Sequence, residues 1–83
     1  MTEGEYRVGI DFNPSDMDEV SEIKRAAADL IDLIDRIPDA HSGLADAEVL
    51  RTGQIRRLKA LAMSEIENGA MWAVKAATKG PPK

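Results

Sequence analysis

Apolar residues recur along the second quarter of the chain at alternating steps of three and four. Val20, Ile23, Ala27, Leu30, Ile34 and Ile37 form that series without a break, which is the spacing of one helical face. It runs for nearly three heptads, as in the seam of a coiled coil. Ile31 and Leu33 flank the seam and widen it beyond what one partner helix requires. The pattern predicts a first helix over residues 16–37. Ser15 or Asp16 is its expected N-cap, with Asp18 and Glu19 in the first turn as in a capping box. Pro38 stops it, because the residue before a proline is pushed out of α geometry.

A second periodic stretch organises the rest of the chain. Ala62, Ile66, Gly69, Ala73 and Ala76 recur at steps of four and three and make a small-sided face that a partner helix can approach closely. Met63, Ala70, Val74 and Ala77 form a second apolar strip, which Met71 and Trp72 extend around the helix. Lys75 is the only charge from Gly69 to Ala77. A helix apolar on most of its circumference must be buried from several sides. The expected oligomer interface therefore comprises Ala62, Ile66, Gly69, Trp72, Ala73 and Ala76. Gly69→Leu is expected to disturb assembly more than Ala28→Leu. The second helix is predicted over 47–78 with Asp46 as N-cap. Gly53 costs about 1 kcal/mol relative to alanine, so a restart at Thr52 is an alternative.

The remaining segments are short. Tyr6, Val8, Ile10 and Phe12 alternate, which predicts an extended N-terminal arm over 1–15 with these side chains on one side. Asn13-Pro14-Ser15-Asp16 reads as a turn. A loop over 38–46 carries Gly43 and a lone His41, expected to be solvent-exposed. A tail over 79–83 ends the helix in glycine and proline. The fold class expected is all-α, a two-helix antiparallel hairpin with an extended arm, assembling into a helical homo-oligomer.

Composition sharpens this picture. Eighty-three residues make one domain, and chains this short bury only about 60% of their unfolded surface. Without cysteine, neither disulfides nor a thiolate metal site can add stability. Self-association is the remaining common remedy. No run of about 20 apolar residues is present, and the acidic start lacks the order of a signal peptide, so the expected location is cytoplasmic. The net charge of −4 argues against general DNA or RNA binding. Residues 1–48 hold 13 acidic and 4 basic side chains, and residues 49–83 hold 2 and 7. That split, −9 against +5, suits halves packed on each other.

Signals of catalysis are nearly absent: no phosphate-binding glycine loop, nucleophile elbow or His/Cys cluster occurs. Asp29, Asp32 and Asp35 share a face but read as a solvated acidic surface. No enzyme activity, metal or cofactor is expected. Binding has better candidates. Arg56, Arg57 and Lys59 cluster near the start of the second helix, and Lys24 and Arg25 form a basic pair in the acidic half. Such groups are good phosphate partners, and Tyr6 and Phe12 could stack on a base. The alternative is that the aromatics pin the arm to the core and the basic residues answer the acidic helix.

Three motifs carry a family resemblance. Phe12-Asn13-Pro14 leads into Ile23-Lys24, and Ile37-Pro38-Asp39 closes the first helix. Ala62-Met63-Ser64-Glu65-Ile66-Glu67 continues to Ala70-Met71-Trp72-Ala73. In these motifs the chain resembles the type-two anti-CBASS sponges. These are small helical-hairpin phage proteins that sequester cyclic-nucleotide immune messengers, with a hairpin domain shared by a Thoeris-inhibiting sponge. The resemblance implies a homohexamer in the host bacterial cytoplasm that holds cyclic di- or trinucleotides, or cyclic ADP-ribose isomers, intact at subunit interfaces. It implies that Phe12 stacks on a base and Lys24 meets phosphate. It also implies that Arg57 and Ser64 fall near a second pocket for larger cyclic trinucleotides. The family's arm aromatic is usually tyrosine, and here it is Phe12. A structural or regulatory oligomer that binds a protein partner is the competing expectation.

Overall fold

The computed structural model describes residues 1–39 and 46–82. Three helices make up the described chain: α1, Glu3–Val8; α2, Asp18–Asp35; and α3, Asp46–Ala77. No strand occurs among the described residues.

The N-terminal segment is helical rather than extended. Thr2 Oγ1 accepts from the Glu5 amide at 3.1 Å and Glu5 Oε1 accepts from the Thr2 amide at 2.8 Å, a reciprocal capping box. Gly9 ends the helix in the left-handed region at φ 64, where a residue without Cβ is unstrained. The Gly9 and Ile10 amides donate back to the Tyr6 and Glu5 carbonyls, which satisfies the orphan acceptors of the last turn. Alternation therefore loses to capping, and Tyr6 and Phe12 are 72% and 71% exposed instead of sharing a packed face.

A six-residue helix is too short to persist alone, and α2 supplies what it lacks. The Gly4 amide donates to Asp32 Oδ1 at 2.8 Å. Gly4 is buried against the Ala28 backbone, so closely that a Cβ there would lie 2.8 Å from the Ala28 carbonyl carbon. At the other end, Lys24 Nζ donates to the carbonyls of Gly9, at 3.0 Å, and Phe12.

The turn before α2 forms as expected, but its caps differ. Asp16 takes φ 54, and Met17 occupies the N-cap position with no side-chain cap bond. Ser15 Oγ instead accepts from the Met17 amide at 3.3 Å, while Asn13 Nδ2 donates to the Met17 carbonyl and to Ser21 Oγ. The buried face of α2 is Val20, Lys24, Ala27, Ala28 and Ile31. Leu30 and Ile37, two members of the expected seam, are exposed. The face turns because α2 packs on α1 as well as on α3, and the sequence expectation has an extended arm where α1 stands.

Helix α3 runs through Gly53 without a break. Its expected N-cap, Asp46, is already helical. Lys59 of α3 donates to the carbonyls of Asp35 and Ile37, satisfying acceptors at the end of α2. Near the opposite end of α3, Val74 and Thr78 share a cavity wall with Val20 and Lys24 of α2. The expected loop centre, with His41 and Gly43, and the last tail residue, Lys83, lie outside the described residues.

The molecule measures 60 × 26 × 13 Å, with a radius of gyration of 16.6 Å. A compact domain of this length would have about 12 Å. Such a slab cannot enclose its apolar residues. Val49, Leu50, Leu58, Leu61, Met71 and Trp72 of α3 are each between 49% and 72% exposed.

Candidate functional site

The sequence candidates separate into groups once the chain is folded. Phe12 and Lys24 come together: Lys24 Nζ lies 5.4 Å from the centre of the Phe12 ring while it holds the Phe12 carbonyl. Lys24 is 7% exposed. It therefore has structural partners within the chain, the carbonyls of Gly9 and Phe12. The turn after Gly9 curls its carbonyls onto the amine because α1 ends there.

Arg25 points elsewhere. It bonds Glu5 Oε2 at 2.9 Å and Asp29 Oδ1 at 2.8 Å, and its pKa rises through those bonds, the Glu5 bond first. The Thr2 amide, then Arg25, lowers the Glu5 carboxyl to about 2. Arg56 lies 3.7 Å from Asp39, and Arg57 donates to Gln54 at 3.1 Å. Both belong to the part of α3 near the end of α2, away from Phe12. Ser64 Oγ accepts from Arg7 at 3.3 Å.

Two cavities meet at Lys24, Val74 and Thr78, which line both. The larger, of about 420 Å³, has apolar walls from Val8, Ala70, Met71 and Val74. Its charged lining comprises Arg7, Lys24, Lys75 and Glu67. The smaller, about 250 Å³, opens beside Phe12, Asn13 and Pro14. The larger volume falls within the usual size of small-molecule sites, and mostly apolar walls with a few charged groups are their usual lining. Cationic side chains at such walls favour a phosphate-bearing ligand.

Arg7 and Lys75 were not among the sequence candidates, although each carried a signal. Arg7 is the only basic residue before Lys24, and Lys75 is the only charge in its apolar stretch. Arg7 ties α1 to α3 through Glu67 Oε1 at 2.8 Å. Lys75 Nζ lies 5.6 Å from the Trp72 ring centre. Of the expected interface residues, Ala62, Ile66 and Ala73 are half-buried within this chain, while Gly69, Trp72 and Ala76 are exposed. Among the described residues no group of three or more His, Cys, Asp or Glu side chains is placed to hold a metal. Asp29 and Asp32 of the acidic face are engaged by Arg25 and the Gly4 amide. No helix is long and apolar enough to cross a membrane among the described residues.

The model of the Acb2/Tad1 hairpin domain matches residues 4–78, nearly the whole chain. The chain belongs to this family. No curated protein and no solved structure matches it. The Acb2/Tad1 hairpin match spans α1 as well as α2 and α3.

Proposed function

We propose that this chain is a phage anti-defence sponge that binds cyclic oligonucleotide immune messengers and sequesters them without cleavage. The observation that carries this reading is the junction of Phe12 and Lys24 with a 420 Å³ cavity lined by Arg7 and Lys75, in a chain of the Acb2/Tad1 hairpin family. Phe12 offers an exposed ring for base stacking, and the cations offer phosphate contacts. Ligand classes are cyclic di- and trinucleotides and cyclic ADP-ribose isomers. Arg25, Arg56, Arg57 and Ser64 are secondary candidates, with Arg57 and Ser64 assigned to a second pocket.

The reading includes a single domain over 1–83 and an antiparallel course for α2 and α3. Hydrogen bonds of Lys59 to the end of α2, and the cavity that Val74 and Thr78 share with Val20 and Lys24 near its beginning, support that course. It also includes assembly, as a homohexamer acting in the host bacterial cytoplasm. Exposed Leu58, Leu61, Met71 and Trp72 support self-association, with Gly69, Ala73 and Ala76 on the close-approach face. The same exposed residues favour the second reading, an oligomer whose partner is a protein and which takes no small ligand.

A thermal-shift panel of cyclic di- and trinucleotides and cyclic ADP-ribose isomers tests the choice. A ligand at 100 times its dissociation constant adds about 2.7 kcal/mol of stability. The expected result is a large shift for one class, with the ligand recovered intact after denaturation. No shift across the panel refutes the sponge, and recovery of a cleaved ligand refutes sequestration.

A further inference from the structure

The 420 Å³ cavity contains one acidic wall residue, Glu67, among its cations and apolar groups. A carboxylate in a phosphate-binding cavity repels the ligand unless a cation offsets its charge or a donor on the ligand meets it. Arg7 Nε engages Glu67 Oε1 at 2.8 Å, which fixes the carboxylate from α1. Glu67 Oε2 carries no hydrogen bond or ion pair among the described residues. An ionised carboxylate has roughly four acceptor sites, so acceptor capacity remains on a residue that lines the cavity. The neighbouring walls, Val8, Ala70 and Met71, offer surface for a base but no side-chain hydrogen-bond partner comparable to a carboxylate.

Nucleobases differ in what they can offer that acceptor. Guanine presents adjacent N1–H and N2–H₂ donors on one edge, a match for both oxygens of a carboxylate. Adenine presents a single N6–H₂ donor beside the N1 acceptor, and that acceptor faces the carboxylate's second oxygen unfavourably. A site built around a hydrogen-bond partner rejects the ligand that leaves it unpaired.

We propose that Glu67 is a base-reading residue and that the cavity selects a guanine-bearing cyclic nucleotide over its adenine counterpart. This rests on the sponge reading. Arg7 acts as the positioning residue, because it holds Glu67 without being needed to read the base.

The test is calorimetry of the full chain with cyclic di-GMP and cyclic di-AMP, comparing the parent, Glu67→Gln and Arg7→Ala, with helicity checked for each. The parent is expected to bind cyclic di-GMP roughly tenfold or more tightly than cyclic di-AMP. Glu67→Gln should shrink that ratio, chiefly by weakening the guanine ligand. Arg7→Ala keeps the carboxylate and should keep a guanine preference while both affinities fall. Equal affinities in the parent, or an unchanged ratio in Glu67→Gln, overturn the proposal and leave the sponge reading standing. Binding of neither ligand overturns the proposal, and silence across the wider nucleotide panel then removes the sponge reading as well.

Discussion

Replacing Gly4 with alanine sets two effects of opposite sign against each other. In a helix, alanine is favoured over glycine by about 1 kcal/mol, so propensity alone stabilises α1. Packing opposes it. The added Cβ would lie 2.8 Å from the Ala28 carbonyl carbon and 2.8 Å from Asp32 Oδ1, and it would also meet the Ala28 carbonyl oxygen. Ala28 is fully buried in the middle of α2, so its backbone cannot withdraw and α1 has to move away. Overpacking of this kind costs about 1–3 kcal/mol. Lifting α1 also breaks the bond from the Gly4 amide to the Asp32 carboxylate, a charged partner worth about 1.5–3 kcal/mol. After subtracting the propensity gain, the net loss is about 1.5–5 kcal/mol of docking free energy. Because α1 can detach while α2 and α3 stay paired, the change is local. Hydrogen exchange read by peptide should show amides of residues 5–10 opening roughly 10- to 5,000-fold more often, with residues 60–77 little changed. Ligand affinity should fall too, because Arg7 and Val8 leave the cavity wall. Gly53→Ala supplies the control: nothing lies within 4 Å of its Cβ position, so propensity alone acts and stability rises. Unchanged or slower exchange in α1 of Gly4→Ala would refute the packing account.

Three further outcomes are expected. Lys24→Met keeps the aliphatic stem but removes the donor to the Gly9 and Phe12 carbonyls, so it should cost about 1–3 kcal/mol in thermal unfolding. It should also weaken nucleotide binding, whereas Phe12→Ala, at an exposed ring, should weaken binding by about 1–3 kcal/mol with stability nearly unchanged. Equal melting of the two variants would count against the pin that Lys24 makes. Glu5 is held at about 2 in the folded chain against 4.5 for a free carboxyl. Its contribution is therefore complete above pH 4.5 and lost as pH falls toward 2. Melting scans should show Glu5→Gln less stable than the parent at neutral pH, with the gap closing across that window. Ala28→Leu, at a fully buried site against Gly4, should destabilise the fold. Gly69→Leu should leave the hairpin's helicity intact and change only the oligomer size read by light scattering. Loss of helicity in Gly69→Leu would contradict its open surroundings.

Helices α2 and α3 were legible in the sequence because their order comes from local periodicity, and Pro38 and the Gly-Pro tail mark ends that any fold must respect. Thr2, Glu5 and Gly9 hold the signals of a capping box and a helix stop, but the expectation of an extended arm rests on the alternation of Tyr6, Val8, Ile10 and Phe12 alone. A six-residue helix is not stable by propensity. It exists because Asp32, Lys24 and Arg25, all on α2, bond to it, and no local pattern records partners 15 to 28 positions away. The same cause rotated the buried face of α2, since a helix between two neighbours buries two strips rather than one seam.

The candidate site divides along that line. Phe12 and Lys24 were visible as residue types suited to bases and phosphates. Their meeting, and the addition of Arg7, Glu67 and Lys75, required α1 to fold back and α3 to run alongside. Sequence alone determined that this chain is helical and small, with apolar residues on several sides of its last helix. Tertiary structure decided which charges share a cavity, because backbone carbonyls and a close Gly4–Ala28 approach have no signature in side-chain spacing.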